Sequence, residues 1–154
     1  MANTYTQVYI QLVFAVEARL NLIEESKRND LEKYITKVIE NHNTKTLAIY
    51  CNPDHIHILV GLNPNIAIKD LVRDIKTSSS LWINRSNLVV GKFRWQHGYG
   101  AFSYSKSHVD KVCRYIINQP IHHNNVRFKE EYKTFLHKFS ISYDDKYLFD
   151  WYDE

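Results

Sequence analysis

The sequence predicts an α+β fold in which a four-stranded antiparallel sheet carries helices on one face. Three observations lead to it. Four runs rich in β-branched and aromatic residues, 5–16, 44–51, 55–62 and 101–104, have the length and composition of strands. Two stretches between them, 24–42 and 66–85, repeat apolar residues at helical spacing. The resulting order, β-α-β-β-α-β, is that of the split βαβ or ferredoxin-like arrangement, whose first and third strands are central.

Each element has a local reason. Residues 5–16 are largely apolar and β-rich. The helix over 24–42 opens on acidic residues, which suit a helix start, and carries Leu31, Ile35, Val38 and Ile39 on one stripe. Residues 44–51 and 55–62 flank Pro53-Asp54, a turn, and read as a hairpin. Asn63-Pro64-Asn65 is expected to cap the helix over 66–85, whose stripe is Ile68, Leu71, Val72 and Ile75, extended by Trp82. Lys69, Arg73, Lys76 and Arg85 decorate that helix, around Thr77-Ser78-Ser79-Ser80. Four hydroxyl residues in a row compete for backbone hydrogen bonds. They are either phosphate-contacting groups beside cations or a solvated face. Glycines 98 and 100 in the loop before the last strand point to close backbone approach or a special dihedral. Ser107-His108-Val109-Asp110 resembles a helix N-terminus, and the helix over 108–118 is expected to stop at Pro120. A short last helix over 126–137 precedes a tail, 143–154, rich in aromatic and acidic residues.

The 154 residues fit one domain, 1–154, with a sizeable core. A formal charge of +3 permits an anionic partner without demanding one. Eleven tyrosines and three tryptophans serve as core residues or as platforms for unpaired bases. Cys51 and Cys113 lie in no metal or redox spacing, which fits a reduced, cytoplasmic compartment. The N-terminus lacks the basic and apolar regions of a signal peptide, and no run is apolar enough to cross a membrane.

Two pairs of residues carry chemistry. His55 and His57 sit two apart in a strand, so they share a face with Cα atoms roughly 6.5–7 Å apart, close enough to converge on one cation. Ile56 and Ile58, on the other face, are core. Tyr115 and Gln119, four apart, share a helical face. Alone, that second pair reads as ordinary helix surface.

Together these pairs resemble the HUH endonuclease superfamily, and more narrowly the single-tyrosine transposases of small bacterial insertion sequences, including repeat-associated tyrosine transposases. Further stretches carry the narrower resemblance: 76–83 (Lys76 to Ile83), Trp95-Gln96-His97-Gly98-Tyr99, Tyr115 through His123, Phe128-Lys129-Glu130-Glu131-Tyr132 and Phe135-Leu136. The resemblance implies that His55, His57 and Gln119 are metal ligands and Tyr115 the nucleophile. Asn118 stands where replication initiators of the superfamily commonly have lysine, which favours the transposase branch. It also implies single-stranded DNA with hairpins at element ends as the partner, a nucleoid-associated protein, and a homodimer in which one subunit's tyrosine helix can complete the other's histidine site.

The chemistry agrees with first principles. A tyrosine nucleophile keeps the phosphodiester energy in a covalent link, but its phenol, with a pKa near ~10, is weak at neutral pH. A divalent cation offsets this by stabilising charge on the phosphate. Neutral His and Gln ligands leave the cation's full charge facing that phosphate. Mg²⁺ prefers oxygen ligands while imidazole suits later metals, so Mg²⁺ or Mn²⁺ is expected. Arg73, Lys76 and Ser78 on the second helix, with Arg94, Trp95 and Tyr99 in the following loop, are the expected DNA contacts. Packing of Trp95 on the sheet is the competing reading. His42, His97, His108, His122, His123 and His137 are read as surface or DNA-contacting residues, and Asp54 as a turn residue or a partner for His55. Three alternatives remain open: a non-catalytic single-strand-binding module, a metal-dependent hydrolase using His55 and His57, and a domesticated repeat-processing relative.

Overall fold

The computed structural model describes residues 3–17, 23–89, 91–122 and 127–148. Four strands, β1 (Tyr9–Ala15), β2 (Lys45–Cys51), β3 (His55–Gly61) and β4 (Gly100–Tyr104), form one sheet in the order β2-β3-β1-β4. Every neighbouring pair is antiparallel. The expected fold class is therefore found, with the first and third strands at the centre. Helices α1 (Glu25–Asn41) and α2 (Ile68–Arg85) are the two crossovers. After β4, a 3₁₀ turn (Lys106–His108) leads into α3 (Val109–Ile117), the single-turn α4 (Gln119–His122) and α5 (Phe128–Lys138).

Alternation sorts the two faces of the sheet. Ile10, Leu12 and Phe14 of β1 and Ile56, Ile58 and Val60 of β3 point to one side, and their chain neighbours to the other. The first side meets Leu31, Ile35 and Ile39 of α1 and Leu71, Val72 and Ile75 of α2. On the second side, Ala48 and Leu59 pack with Val112 and Ile116 of α3. Phe102 of β4 stacks on Phe135 of α5 with ring centroids 5.0 Å apart. Both faces of the central strands are thus covered. That is why β1 and β3 read as nearly continuous apolar runs, buried along almost their whole length.

Several local expectations change. Asn63 does not cap α2: its side chain accepts from the Asn65 N–H in a turn, and Ala67 stands at the helix start. Pro120 does not end the helical path. It falls at the second position of α4, where a missing N–H costs nothing because first-turn donors have no intrahelical acceptor. The two glycines serve different ends. Gly98 has φ 88°, a left-handed conformation open to glycine. A Cβ on Gly100 would lie 2.8–2.9 Å from the rings of Tyr132 and Phe102, so its absence lets α5 approach β4. Val126, His123 and the end of the acidic, aromatic tail lie outside the described residues.

Ile58 is fully buried in the central strand, whereas Leu81 on α2 is 52% exposed. Ile58→Ala should lower the unfolding free energy by about 2–5 kcal/mol, and Leu81→Ala by less than about 0.5 kcal/mol. Chemical denaturation compares the two directly, and equal losses would contradict the assignment of the core.

Candidate metal and tyrosine centre

His55 and His57 point from β3 into the layer between the sheet and the C-terminal helices, with ring centroids 5.1 Å apart. Both are buried. Each ring is held from outside. His55 Nδ1 lies 2.7 Å from Asp54 Oδ1, so the ring N–H donates to that carboxylate and Nε2 faces inward. Phe128 of α5 stacks on the same ring at 3.9 Å. His57 Nδ1 lies 3.0 Å from the Gln11 side-chain amide, whose oxygen accepts from Tyr104. As placed, the Gln11 Nε2–H donates to that Nδ1 and the ring proton sits on Nε2, 3.0 Å from Glu131 Oε1; turning the amide over would let Gln11 accept from an Nδ1–H and would present the Nε2 lone pair to a cation.

Tyr115 enters from α3, its ring edge-on to His57 at 5.8 Å between centroids. Gln119, at the start of α4, is buried. Its Oε1 accepts from Asn52 Nδ2 at 3.1 Å, while its Nε2 faces the Tyr115 carbonyl and Glu131. The four residues expected from the sequence therefore converge within a single chain. Gln119 presents its nitrogen rather than its oxygen to the centre, so ligation through oxygen requires its amide to turn over.

At the middle stands a residue that sequence reasoning did not single out. Glu131 of α5 is 3% exposed. Its Oε1 lies 3.0 Å from His57 Nε2 and 3.3 Å from His55 Nε2. Its Oε2 accepts from the Tyr115 hydroxyl and from Gln119 Nε2. A signal for it was present: Phe128, Glu131, Tyr132, Phe135 and Leu136 are the buried stripe of α5, and a carboxylate on such a stripe demands a partner. Asn52, buried between His55 and Gln119, was also missed, because a turn asparagine has an unremarkable local reading.

These contacts set the protonation. Burial pushes the Tyr115 phenol well above its ordinary value, and the Glu131 carboxylate beside it adds to the rise. Burial alone would lower the His55 imidazole, but the hydrogen bonds to Asp54 and Glu131 outweigh it and hold the group above its usual value. The protein's own field therefore disfavours a phenolate, the opposite of what a bound cation would do. The donor set fits one: two inward Nε2 atoms and a carboxylate oxygen lie within 4.8 Å of one another.

Of the expected DNA contacts, Arg73, Lys76, Arg94, Trp95 and Tyr99 line a groove of about 560 Å³ between α2 and the 93–99 loop. Ser78 does not; Thr77 and Ser80 line it instead. Arg73 and Arg94 are exposed and pair with Asp70 and Glu17. Lys76 donates to the Gln96 and Gly98 carbonyls, and burial lowers its pKa to about 8. Trp95 is a packing residue rather than a stacking platform. It is 8% exposed, lies edge-on to Phe14 and Phe93 at 4.9 Å, and donates to Ser79 Oγ at 2.9 Å. The hydroxyl run is thus divided, with Ser79 turned into the core.

A family model described as "Transposase IS200 like" matches residues 4–119. Among characterised relatives, the transposases for insertion sequence element IS200 of Salmonella typhimurium and Salmonella typhi are each 27% identical over 124 residues, 77% of this chain and 81% of theirs. Among solved structures, a Deinococcus radiodurans protein described as a candidate transposase aligns with TM-score 0.60 at 19% identity, over 77% of this chain and 95% of that one. A REP-associated tyrosine transposase bound to a REP hairpin aligns with TM-score 0.60 at 16% identity, over 82% of this chain and 74% of that one. At such identities the structural likeness speaks for the fold.

The division of the hydroxyl run gives a direct expectation. Ser79→Ala leaves the buried Trp95 Nε1–H without its acceptor and should cost about 1–3 kcal/mol, whereas Ser78→Ala should cost less than about 0.5 kcal/mol. Urea denaturation followed by far-ultraviolet circular dichroism measures both, and a larger loss for Ser78→Ala would overturn the placement.

Proposed function

The chain belongs to the IS200-like transposase family, and on that premise we propose that it cuts and rejoins single-stranded DNA with Tyr115 as nucleophile. The observation that carries this reading is the meeting of His55, His57, Tyr115 and Gln119 in one buried cluster. Nothing in the core requires two histidines, a tyrosine hydroxyl and a carboxamide at one point. A strand-transfer reaction gives each of them a role.

The Tyr115 oxygen attacks the scissile phosphorus. A Tyr–O–P bond forms, the P–O3′ bond breaks, and the phenolic proton is balanced by the proton gained on the departing 3′ oxygen. The products are a 5′-phosphotyrosine and a free 3′-hydroxyl. A second 3′-hydroxyl reverses the step on the same phosphorus, so ends are rejoined without an external energy source. A divalent cation, Mg²⁺ or Mn²⁺, would be held by His55, His57 and, with its amide turned over, Gln119, and would supply the positive charge that binds the phosphate and favours the phenolate. Asp54 and Gln11 aim the two imidazoles, and Asn52 fixes Gln119.

A cavity of about 550 Å³ reaches Tyr115 from the side of α3 and α5, with Lys111 and Lys138 among its lining residues. It gives a strand a route to the hydroxyl past two cations. The groove beside α2 supplies Arg73, Arg94 and the half-exposed Tyr99 for the DNA that flanks the cut. By analogy with the relative bound to a REP hairpin, the substrate is single-stranded DNA bearing a hairpin. The family resemblance also implies a homodimer. With Tyr115 beside its own chain's His57, no exchange of helices between subunits is needed for the site to form.

Incubation with labelled hairpin-bearing single-stranded DNA and Mg²⁺ or Mn²⁺ should give a denaturant-resistant protein–DNA adduct. Tyr115→Phe should reduce it by on the order of 10³-fold or more, as expected for loss of a nucleophile. Equal cleavage by wild type and Tyr115→Phe would refute the reaction.

A further inference from the structure

We propose that Glu131 is itself a ligand of the divalent cation through Oε1, while its Oε2 positions the Tyr115 hydroxyl, so that one carboxylate spans cation and nucleophile. This rests on the proposed reaction for the presence of a cation; the choice of ligand rests on geometry. Two ligands at right angles on an ion with bonds of ~2.1 Å stand about 3 Å apart. Glu131 Oε1 lies 3.0 Å from His57 Nε2 and 3.3 Å from His55 Nε2. Those separations serve hydrogen bonds when no ion is bound, and they equally match donors at right angles around one ion.

The division of labour within the carboxylate points the same way. A structural ion pair would be satisfied by the imidazoles alone. Here one oxygen faces the two histidines of β3, and the other accepts from Tyr115 of α3 and Gln119 of α4. The helix that carries it is shaped to this place: Phe128 stacks on His55, and Phe135 lies beside both His57 and Tyr115. Two imidazoles and an amide form a nitrogen-rich set for a hard cation, and a carboxylate oxygen brings it into the range that suits Mn²⁺ and Mg²⁺. The family model ends at residue 119, so this ligand lies in a part of the chain beyond the matched region.

Mn²⁺ binding to the full chain, read from the electron paramagnetic resonance signal of the free ion without DNA, tests the ligand. Glu131→Gln keeps the size and a hydrogen-bonding side chain but loses the charge, and should weaken binding by on the order of tenfold or more. Glu131→Asp, charged on a shorter arm, should fall between that variant and wild type, while Tyr115→Phe should stay within about twofold of wild type. Circular dichroism identifies any variant that fails to fold, and the aspartate variant then carries the comparison. Affinities of Glu131→Gln and Glu131→Asp within about twofold of wild type would overturn the ligand. At saturating Mn²⁺, Glu131→Gln should still slow adduct formation by on the order of tenfold with DNA affinity unchanged; an unchanged rate would overturn the positioning role. If Mn²⁺ binding depends on Glu131 but wild type forms no adduct, the ligand stands and the strand-transfer reading falls. Adduct formation with Mn²⁺ binding indifferent to Glu131 gives the converse.

Discussion

Buried polar groups must be partnered, and here that constraint is concentrated at one point of the sheet. His57 faces the C-terminal layer from the middle of the most protected strand, opposite Val13. Around it stand His55, Gln11, Asn52, Gln119 and Glu131, all removed from water. Each such group left unpaired costs about 1–3 kcal/mol, and more if charged. The cluster holds because every member answers another: Asp54 and Gln11 from the flanks, Asn52 to Gln119, Glu131 to both histidines and to Tyr115. The network therefore ties α3 and α5 to β3 alongside their apolar stripes.

The fold and the proposed chemistry use the same geometry. Antiparallel pairing of β1 with β3 sends Ile56 and Ile58 into the core beneath α1 and α2, and by the same alternation sends the histidines to the opposite side. The C-terminal helices then do two things at once. They seal the apolar part of that face through Val112, Ile116 and Phe135, and they deliver Tyr115 and Glu131 to the histidines. Sealing lowers the local dielectric, which strengthens a cation's hold on a phosphate and also makes an unassisted phenolate costlier. Burial that raises the Tyr115 pKa is thus the same burial that would make a bound cation effective.

Much of this was legible in the sequence because period-two and helical spacing are local signals. The four strands, both crossover helices and the pairing of His55 with His57 follow from them. Tyr115 and Gln119 came from their spacing and a family resemblance, and both lie at the centre. What escaped depends on contacts far apart in the chain. Glu131 reaches histidines more than seventy residues away, and its place on the apolar stripe of α5 marks it as buried without saying which partners it will meet. Trp95 and Ser78 show the converse. An aromatic and a serine beside cations fit a nucleic-acid surface, yet Trp95 fills the gap between Phe14 and Phe93, and helix phase turns Ser79 rather than Ser78 inward. Asn63 formed its own local turn instead of a cap, a choice open to any asparagine at a helix approach.

In the proposed reaction the histidine strand and the tyrosine helix form one centre in which Tyr115 takes the phosphate. Tandem mass spectrometry of a protease digest, after reaction with a short hairpin-bearing strand and Mn²⁺, tests this most directly. The expected product is a nucleotide joined through its 5′-phosphate to the peptide containing Tyr115. A nucleotide on the nearby Tyr104 or Tyr132 instead, or cut DNA with no nucleotide-bearing peptide, would contradict it.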